Sequence, residues 1–258
     1  MFELYLTTNG LLSVAVVILA IAQIAIGSWP QVKRADHSGA LTKDDAQTPL
    51  VPFGPFFAIW LVIFAWILAF AIWQARAENL SSELLQSIRL PMILIMLCTC
   101  FWQAYVPKYG MGPPSVIALS EAAGMAVYTI LSLSNIQVDA YSLQYWFGLA
   151  PIQFFAGWLC ATSVVNLATT LVKTGSRFDP RTTQNAILLI AIITIIVGIV
   201  ANITNSYIFA VSAIWGLLGI FVNVLVKKYA SEIAVASAFG IGVILAATHL
   251  GELWGVDQ

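Results

Sequence analysis

Few residues in this chain have the chemistry to act on anything. Glu121 stands alone in the apolar stretch VIALSEAAGMAV. A carboxylate at the centre of a membrane-length segment costs at least ~2.5 kcal/mol on insertion scales, so it is a candidate for proton handling or for a buried hydrogen bond. It should face other helices, protonated or paired, beside Ala118, Ala122 and Met125. Ser120 and Gly124 on either side leave room for a close helix approach. His249 and Glu252 in ATHLGELWG are three residues apart and share a helical face. A metal site needs more ligands, and no span holds a second such pair. A local hydrogen bond or contact with interfacial water is the expected role. His37 lies in a loop. Cys98 and Cys100 point about 200° apart on a helix and cannot chelate one ion together. Cys160 is in another span, and all three read as small buried residues. No phosphate loop or zinc-protease motif is present, no lysine sits within a span to form a retinal Schiff base, and no nucleophile is paired with a base. The chain therefore does not read as an ordinary enzyme.

The other conspicuous feature is aromatic. PFGPFFAIWLVIFAWILAFAIW, Pro52 to Trp73, holds three Trp and five Phe and no charge. On a continuous helix Phe56, Trp60 and Phe64 recur every four residues and form one stripe. Trp66, Phe70 and Trp73 form a second, roughly 120° or more away. The spacing suggests one stripe toward lipid and one toward the bundle. Trp73 beside Arg76 suits an interfacial belt. Trp60, near mid-span, is either core or the wall of a pocket for a flat apolar ligand.

These residues must be carried by membrane helices. Of the 258 residues, 60% are hydrophobic and 9% charged, and the mean hydropathy is +0.90. Average soluble domains carry about 25% charged residues. The net charge of -1 argues against nucleic-acid binding. The expected fold class is all-α, a polytopic helix bundle. Eight segments reach the length needed to cross the hydrocarbon core: Leu11–Trp29, Phe53–Gln74, Ile88–Val106, Ser115–Ser134, Leu143–Val172, Thr183–Ala201, Ser206–Val226 and Ser231–Trp254. Pro30 is expected to close the first helix, GMGPPS to separate the third and fourth, RFDPRTT to open the sixth, and NITNS to turn the chain from sixth to seventh. The fifth segment is overlong, and its YSLQYWF start suits the membrane interface. Asn166, Asn202, Asn205 and Asn223 can bond between helices.

Nine of the eleven Lys and Arg residues fall in the odd-numbered loops; Arg76 and Arg89 are assigned to the other side. The positive-inside rule then places the odd loops in the cytoplasm and both termini on the non-cytoplasmic side, in a bacterial inner membrane. Met1–Gly10 has no Lys or Arg, unlike the start of a cleaved signal peptide. The first loop, Gln31–Val51, is polar and long enough to be a lid or a plain solvated loop.

Several of these motifs resemble the tryptophan-rich sensory protein/translocator protein (TspO/MBR) family. Phe56 and Trp60 stand four and eight residues after Pro52, as in the start of that family's second helix. In GWLCATSVVN, Trp158 and Asn166 have the separation of a Trp and an Asn in its fifth helix, with Pro151 upstream, and Trp102 resembles its third-helix Trp. The resemblance covers Leu11–Thr174. Departures are Thr99 in place of an Asn, a longer step from Pro151 to Trp158, and a first loop without the usual Trp-containing run. The last three spans have no counterpart in a five-helix fold. The resemblance implies a TspO-like five-helix bundle over residues 1–174, followed by three additional spans over 175–258. It also implies an apolar pocket that opens toward the first loop and binds tetrapyrroles, sterol-like or other flat molecules, with Phe56, Trp60, Phe64, Trp102, Trp158, Thr162 and Asn166 around it.

Three functions follow as expectations. The first is a ligand-binding sensor or carrier for a tetrapyrrole or carotenoid-like molecule. The second is a transporter with Glu121 as proton relay. The third is a structural or pigment-contacting subunit, as a homodimer or within a larger membrane complex. A tetrapyrrole-transforming activity is a weaker fourth.

Overall fold

The computed structural model describes the backbone of residues 7–34 and 48–254, and side chains over 7–28 and 48–251. Eight helices among the described residues are long and apolar enough to cross a membrane. They are α1 (Thr8–Arg34), α2 (Ile59–Gln74, whose span starts in the 3-10 turn Gly54–Ala58), α3 (Glu83–Tyr109), α4 (Pro113–Ser132), α5 (Ala150–Lys173, whose span starts at Tyr145), α6 (Thr183–Thr204), α7 (Tyr207–Lys227) and α8 (Ser231–Trp254). The protein is an all-α integral membrane protein. Backbone groups in hydrocarbon have no water to bond, which leaves the helix as the form these apolar runs can take. Most of the lid expectation on the first loop lies outside the described residues.

The helix ends follow local chemistry. Gly110 ends α3 with φ 74°, a left-handed conformation that glycine adopts freely. Thr182 caps α6 by accepting from the Asn185 N–H, and Ser206 caps α7 by accepting from the Phe209 N–H. Between them Asn205 turns the chain at φ 49°, as the NITNS motif predicts. Pro30, however, does not close the first helix, which runs on to Arg34. Pro91 and Pro107 likewise lie within α3. A proline removes one backbone N–H, and inside a membrane a continued helix still satisfies the groups beyond it. The fifth span begins as a π-helical turn, Tyr145–Leu149, that leads directly into α5. Trp146 on this turn is 44% exposed, in line with an interfacial start.

Arg89, counted from sequence on the non-cytoplasmic side at the start of the third span, lies in the second turn of α3 and is fully buried. Its guanidinium donates to the Gln74 side-chain oxygen at 2.9 Å and to the carbonyls of Leu80 (3.0 Å), Asn79 (2.9 Å) and Gln74 (3.3 Å). It thereby satisfies the carbonyls that the end of α2 and the following turn would leave open. Gln74 in turn donates to the Ser13 carbonyl on α1, so three helices are tied at this end.

The main packing partners of the first five helices close a ring in the order α1, α2, α5, α4, α3 and back to α1. α7 packs along the outside of α5, and α8 bridges α7 and α6. The seam between α5 and α7 is made of small residues. A Cβ on Gly157 would strike the Phe209 carbonyl and the Ser212 hydroxyl, and one on Gly216 would come within 2.6 Å of the Ala161 Cβ. Such contacts let two backbones approach and gain dispersion energy where lipid offers no hydrophobic drive. α5 is therefore buried on both sides, with Phe155, Ala156, Trp158 and Leu159 all at 0% exposure.

Odd-numbered loops gather at one end. The Lys173 ammonium donates to the Tyr109 carbonyl, and the Asn223 amide to the Pro49 carbonyl. Thr48, Leu50 and Val51 are buried there, and the Phe53 N–H donates to the Gly219 carbonyl on α7. Gly219 has no Cβ to block this: one would lie 2.7 Å from the Pro52 Cβ. The lipid-facing side chains of α2 are aliphatic, with Leu61 71% and Ile72 58% exposed. Neither aromatic stripe is the lipid face.

A ring cluster between α2, α3 and α5

Trp60, in the first turn of α2, is the hub of the candidate site. Its indole stacks on Trp102 of α3 (6.1 Å between centroids, 21° between planes) and meets Trp158 of α5 edge-on (6.0 Å, 87°). Phe155 of α5 lies at 6.3 Å and Phe64 at 5.4 Å. Phe57 adds an edge contact to Trp158 at 6.3 Å. Rings from three helices of the five-helix ring thus meet inside it. Such pairs are worth about 0.5–1.5 kcal/mol each beyond the area they bury. Trp158 and Phe155 are completely buried, whereas Trp60, Phe64 and Trp102 are half-buried.

The sequence-predicted residues divide. Trp60, Phe64, Trp102 and Trp158 come together. Phe56 does not join them. It lies in a 3-10 turn, Gly54–Ala58, and packs on Trp215 of α7 at 4.8 Å. The reason is helical pitch: a residue of a 3-10 turn advances by about 120° instead of about 100°, which takes Phe56 off the stripe and brings Phe57 toward Trp158. The Trp215 indole donates to the Phe56 carbonyl at 2.9 Å and holds that turn. The Thr162 hydroxyl donates back to the Trp158 carbonyl, and its side chain faces a small cavity between α5 and the last three helices. That cavity, bounded also by Leu50, Pro52, Ile193 and Ile220, has about 10 Å³, about room for one water. Asn166 is engaged with Ser115 at the start of α4, accepting from its hydroxyl at 2.9 Å. Asn202 and Asn223 also make bonds between elements, to the Ala247 and Pro49 carbonyls.

The second stripe packs at the opposite end. Trp66 stacks on Trp146 and donates to its carbonyl, Trp73 contacts Phe147, and Phe70 is buried. Glu121 differs from its expectation. It is exposed on the outer face of α4, with Ile117, Gly124 and Tyr128. The inward stripe of α4 is Ala118, Ala122 and Ala126, whose small size lets neighbouring helices approach, so the acid is turned away from the bundle. The His249 ring lies 3.5 Å from the Tyr207 hydroxyl at the end of α8, and the Glu252 side chain is outside the described residues.

Sequence reasoning missed four residues here: Phe57, Phe155, Gln23 and Gln103. Gln23 on α1 is 1% exposed and Gln103 on α3 is 6% exposed. Both side-chain atoms of Gln23, the Gln103 Oε1, and the indole nitrogens of Trp102 and Trp158 are buried without a hydrogen-bond partner among the described residues. An unsatisfied buried polar atom costs about 1–3 kcal/mol, and native structures keep few of them. The available signal was a pair of glutamines inside apolar spans, where an amide is expensive unless used.

Comparison with curated proteins finds no match, and comparison with solved structures finds none either. Comparison with protein families matches residues 11–250 to the TSPO-like protein family, a range that takes in the last three spans as well as the first five. The match covers most of the chain and agrees with the aromatic motifs from which the ring cluster is built: the protein belongs to the TSPO-like family.

Proposed function

We propose that the protein is a membrane ligand-binding protein, sensor-like or carrier-like, that holds a flat hydrophobic molecule such as a tetrapyrrole against Trp60, Trp102 and Trp158. The observation that carries this reading is the convergence of indoles from α2, α3 and α5 inside one helical ring. Indole faces stack on extended π systems and exclude water without demanding a particular polar group. Family membership supports a ligand-binding role in the membrane. The rings are close-packed on one another, so binding requires Trp60 and Trp102 to part. Their partial exposure supports entry at the end where the odd-numbered loops lie. In this reading residues 1–174 form the binding unit. Residues 175–258 brace it through the α5–α7 seam, with the termini on the non-cytoplasmic side of a bacterial inner membrane.

The test is saturable quenching of tryptophan fluorescence by protoporphyrin in detergent. Trp60→Ala and Trp158→Ala should weaken binding, and Trp73→Ala, whose ring packs at the other end on Phe147, should not. Absence of saturable quenching in the wild type, or equal loss in the Trp73 variant, refutes the reading. Glu121, on the outer face, gives little support to a proton relay through the bundle. Its position beside the open Gly124 favours contact with a second membrane protein as the alternative role.

A further inference from the structure

The end of α3 at the odd-numbered loops carries an outer surface separate from the ring cluster. Phe101, Tyr105 and Tyr109 recur there every four residues, so their rings follow one another along the helix. The centroids of Phe101 and Tyr105 are 5.5 Å apart with 25° between planes, and those of Tyr105 and Tyr109 are 4.8 Å apart with 38°. Phe101 is 48% and Tyr109 56% exposed, so the ladder faces outward. It runs about 12 Å along the helix axis, close to the ~15 Å depth of hydrocarbon in one leaflet.

Two cations meet at its loop end. Lys108 Nζ lies 4.9 Å from the centroid of the Tyr109 ring. Lys173 Nζ, from the last turn of α5, donates to the Tyr109 carbonyl at 3.1 Å. Both lysines are exposed, and neither has a carboxylate partner: the ion pairs among the described residues are Arg76–Glu78 and Arg181–Asp179. Ammoniums from two different helices thus converge on one residue with their charge unbalanced, at the level where a membrane helix ends.

The surface therefore has two zones, cationic at headgroup depth and flat and apolar beneath it. A soluble anion would use only the first zone. A zwitterionic choline lipid would bring a cation of its own against the lysines. A phospholipid of net negative charge uses both zones, because its phosphate balances the ammoniums and its extended chain gains dispersion contacts along aligned rings. We propose that this surface binds an anionic phospholipid of the surrounding bilayer, with the phosphate on Lys108 and Lys173 and one acyl chain along Tyr109, Tyr105 and Phe101.

The test is native mass spectrometry of the full-length protein in detergent, titrated with dioleoyl phosphatidylglycerol or dioleoyl phosphatidylcholine. The chains are identical, so the ratio of first-lipid affinities reads the headgroup alone. Each lysine near the membrane surface is worth about fivefold for an anionic lipid, so the expected preference for phosphatidylglycerol is about twenty- to thirtyfold. Lys108→Gln with Lys173→Gln should bring the two lipids to equal affinity. Lys108→Arg with Lys173→Arg should keep the preference, which separates charge from any effect on folding. Phe101→Ala with Tyr105→Ala should weaken both lipids and leave their ratio unchanged. Lys227→Gln with Lys228→Gln, at the end of α7, should change neither affinity. Glycerol 3-phosphate should not displace the bound lipid, because it has no chain to lay on the rings. Equal affinity in the wild type, a preference that survives the paired Lys108 and Lys173 glutamine substitutions, an equal loss in the Lys227 and Lys228 variant, unchanged affinity without the two rings, or displacement by glycerol 3-phosphate overturns the proposal.

Discussion

Gly157 provides a sharp test of how the last three helices are held on the first five. A Cβ there would overlap the Phe209 carbonyl and the Ser212 hydroxyl and would lie 3.1 Å from the Ala213 nitrogen. Two of these three atoms are helix backbone, which cannot rotate aside as a side-chain end can. Gly157→Ala must therefore push α7 off α5 along the seam. Overpacking of this kind costs about 1–3 kcal/mol, and the backbone collision puts it at the upper end. The substitution also gains about 0.8–1 kcal/mol of helix propensity. The net loss is about 2 kcal/mol, or roughly thirtyfold in the folding equilibrium. The control is Gly124→Ala on α4, where a Cβ meets nothing within 4 Å. Unfolding midpoints in mixed detergent–SDS micelles should fall clearly for Gly157→Ala and stay level or rise slightly for Gly124→Ala. Because Trp158 is the next residue, the Gly157 variant should also shift the tryptophan emission. If both variants behave alike, close α5–α7 packing is not what joins these helices and the seam argument fails.

Arg89→Met should destabilise by about 3 kcal/mol or more, since it strands the Gln74, Asn79 and Leu80 carbonyls, and Arg89→Lys should not restore stability because an ammonium cannot span that fork of acceptors. The same micelle titration checks it. Reporter fusions at Gln258 and within residues 175–181 should report opposite sides of the membrane; the same side for both contradicts the proposed orientation. Glu121→Gln should leave the unfolding midpoint and porphyrin quenching unchanged, because the side chain faces away from the ring cluster. Loss of quenching in that variant would place the ligand elsewhere.

Membrane character, the number of spans and most turn positions were legible in the sequence because they depend on local quantities. Apolar length selects a helix in lipid, and caps such as Thr182 and Ser206 act over three residues. Four of the clustered rings, Trp60, Phe64, Trp102 and Trp158, were legible through the resemblance of their motifs to the family, while position along a span left Trp60 open between core and pocket wall. What the tertiary structure decided is which face of each helix is inside. α5 is buried over most of its circumference between the ring and α7, so its periodicity carried little mark of which side Trp158, Thr162 or Asn166 would serve. Glu121 was expected inward by cost alone, but the small alanines of α4 take the inward face. Phe56 and Phe57 exchanged roles through a few tens of degrees of 3-10 winding, too fine for spacing to reveal. That Gln103 of α3 meets α1 at Gly27, and that its Oε1 stays buried without a partner among the described residues, was likewise decided between helices, because hydrogen-bond satisfaction is a property of contacts between helices and not of any one of them.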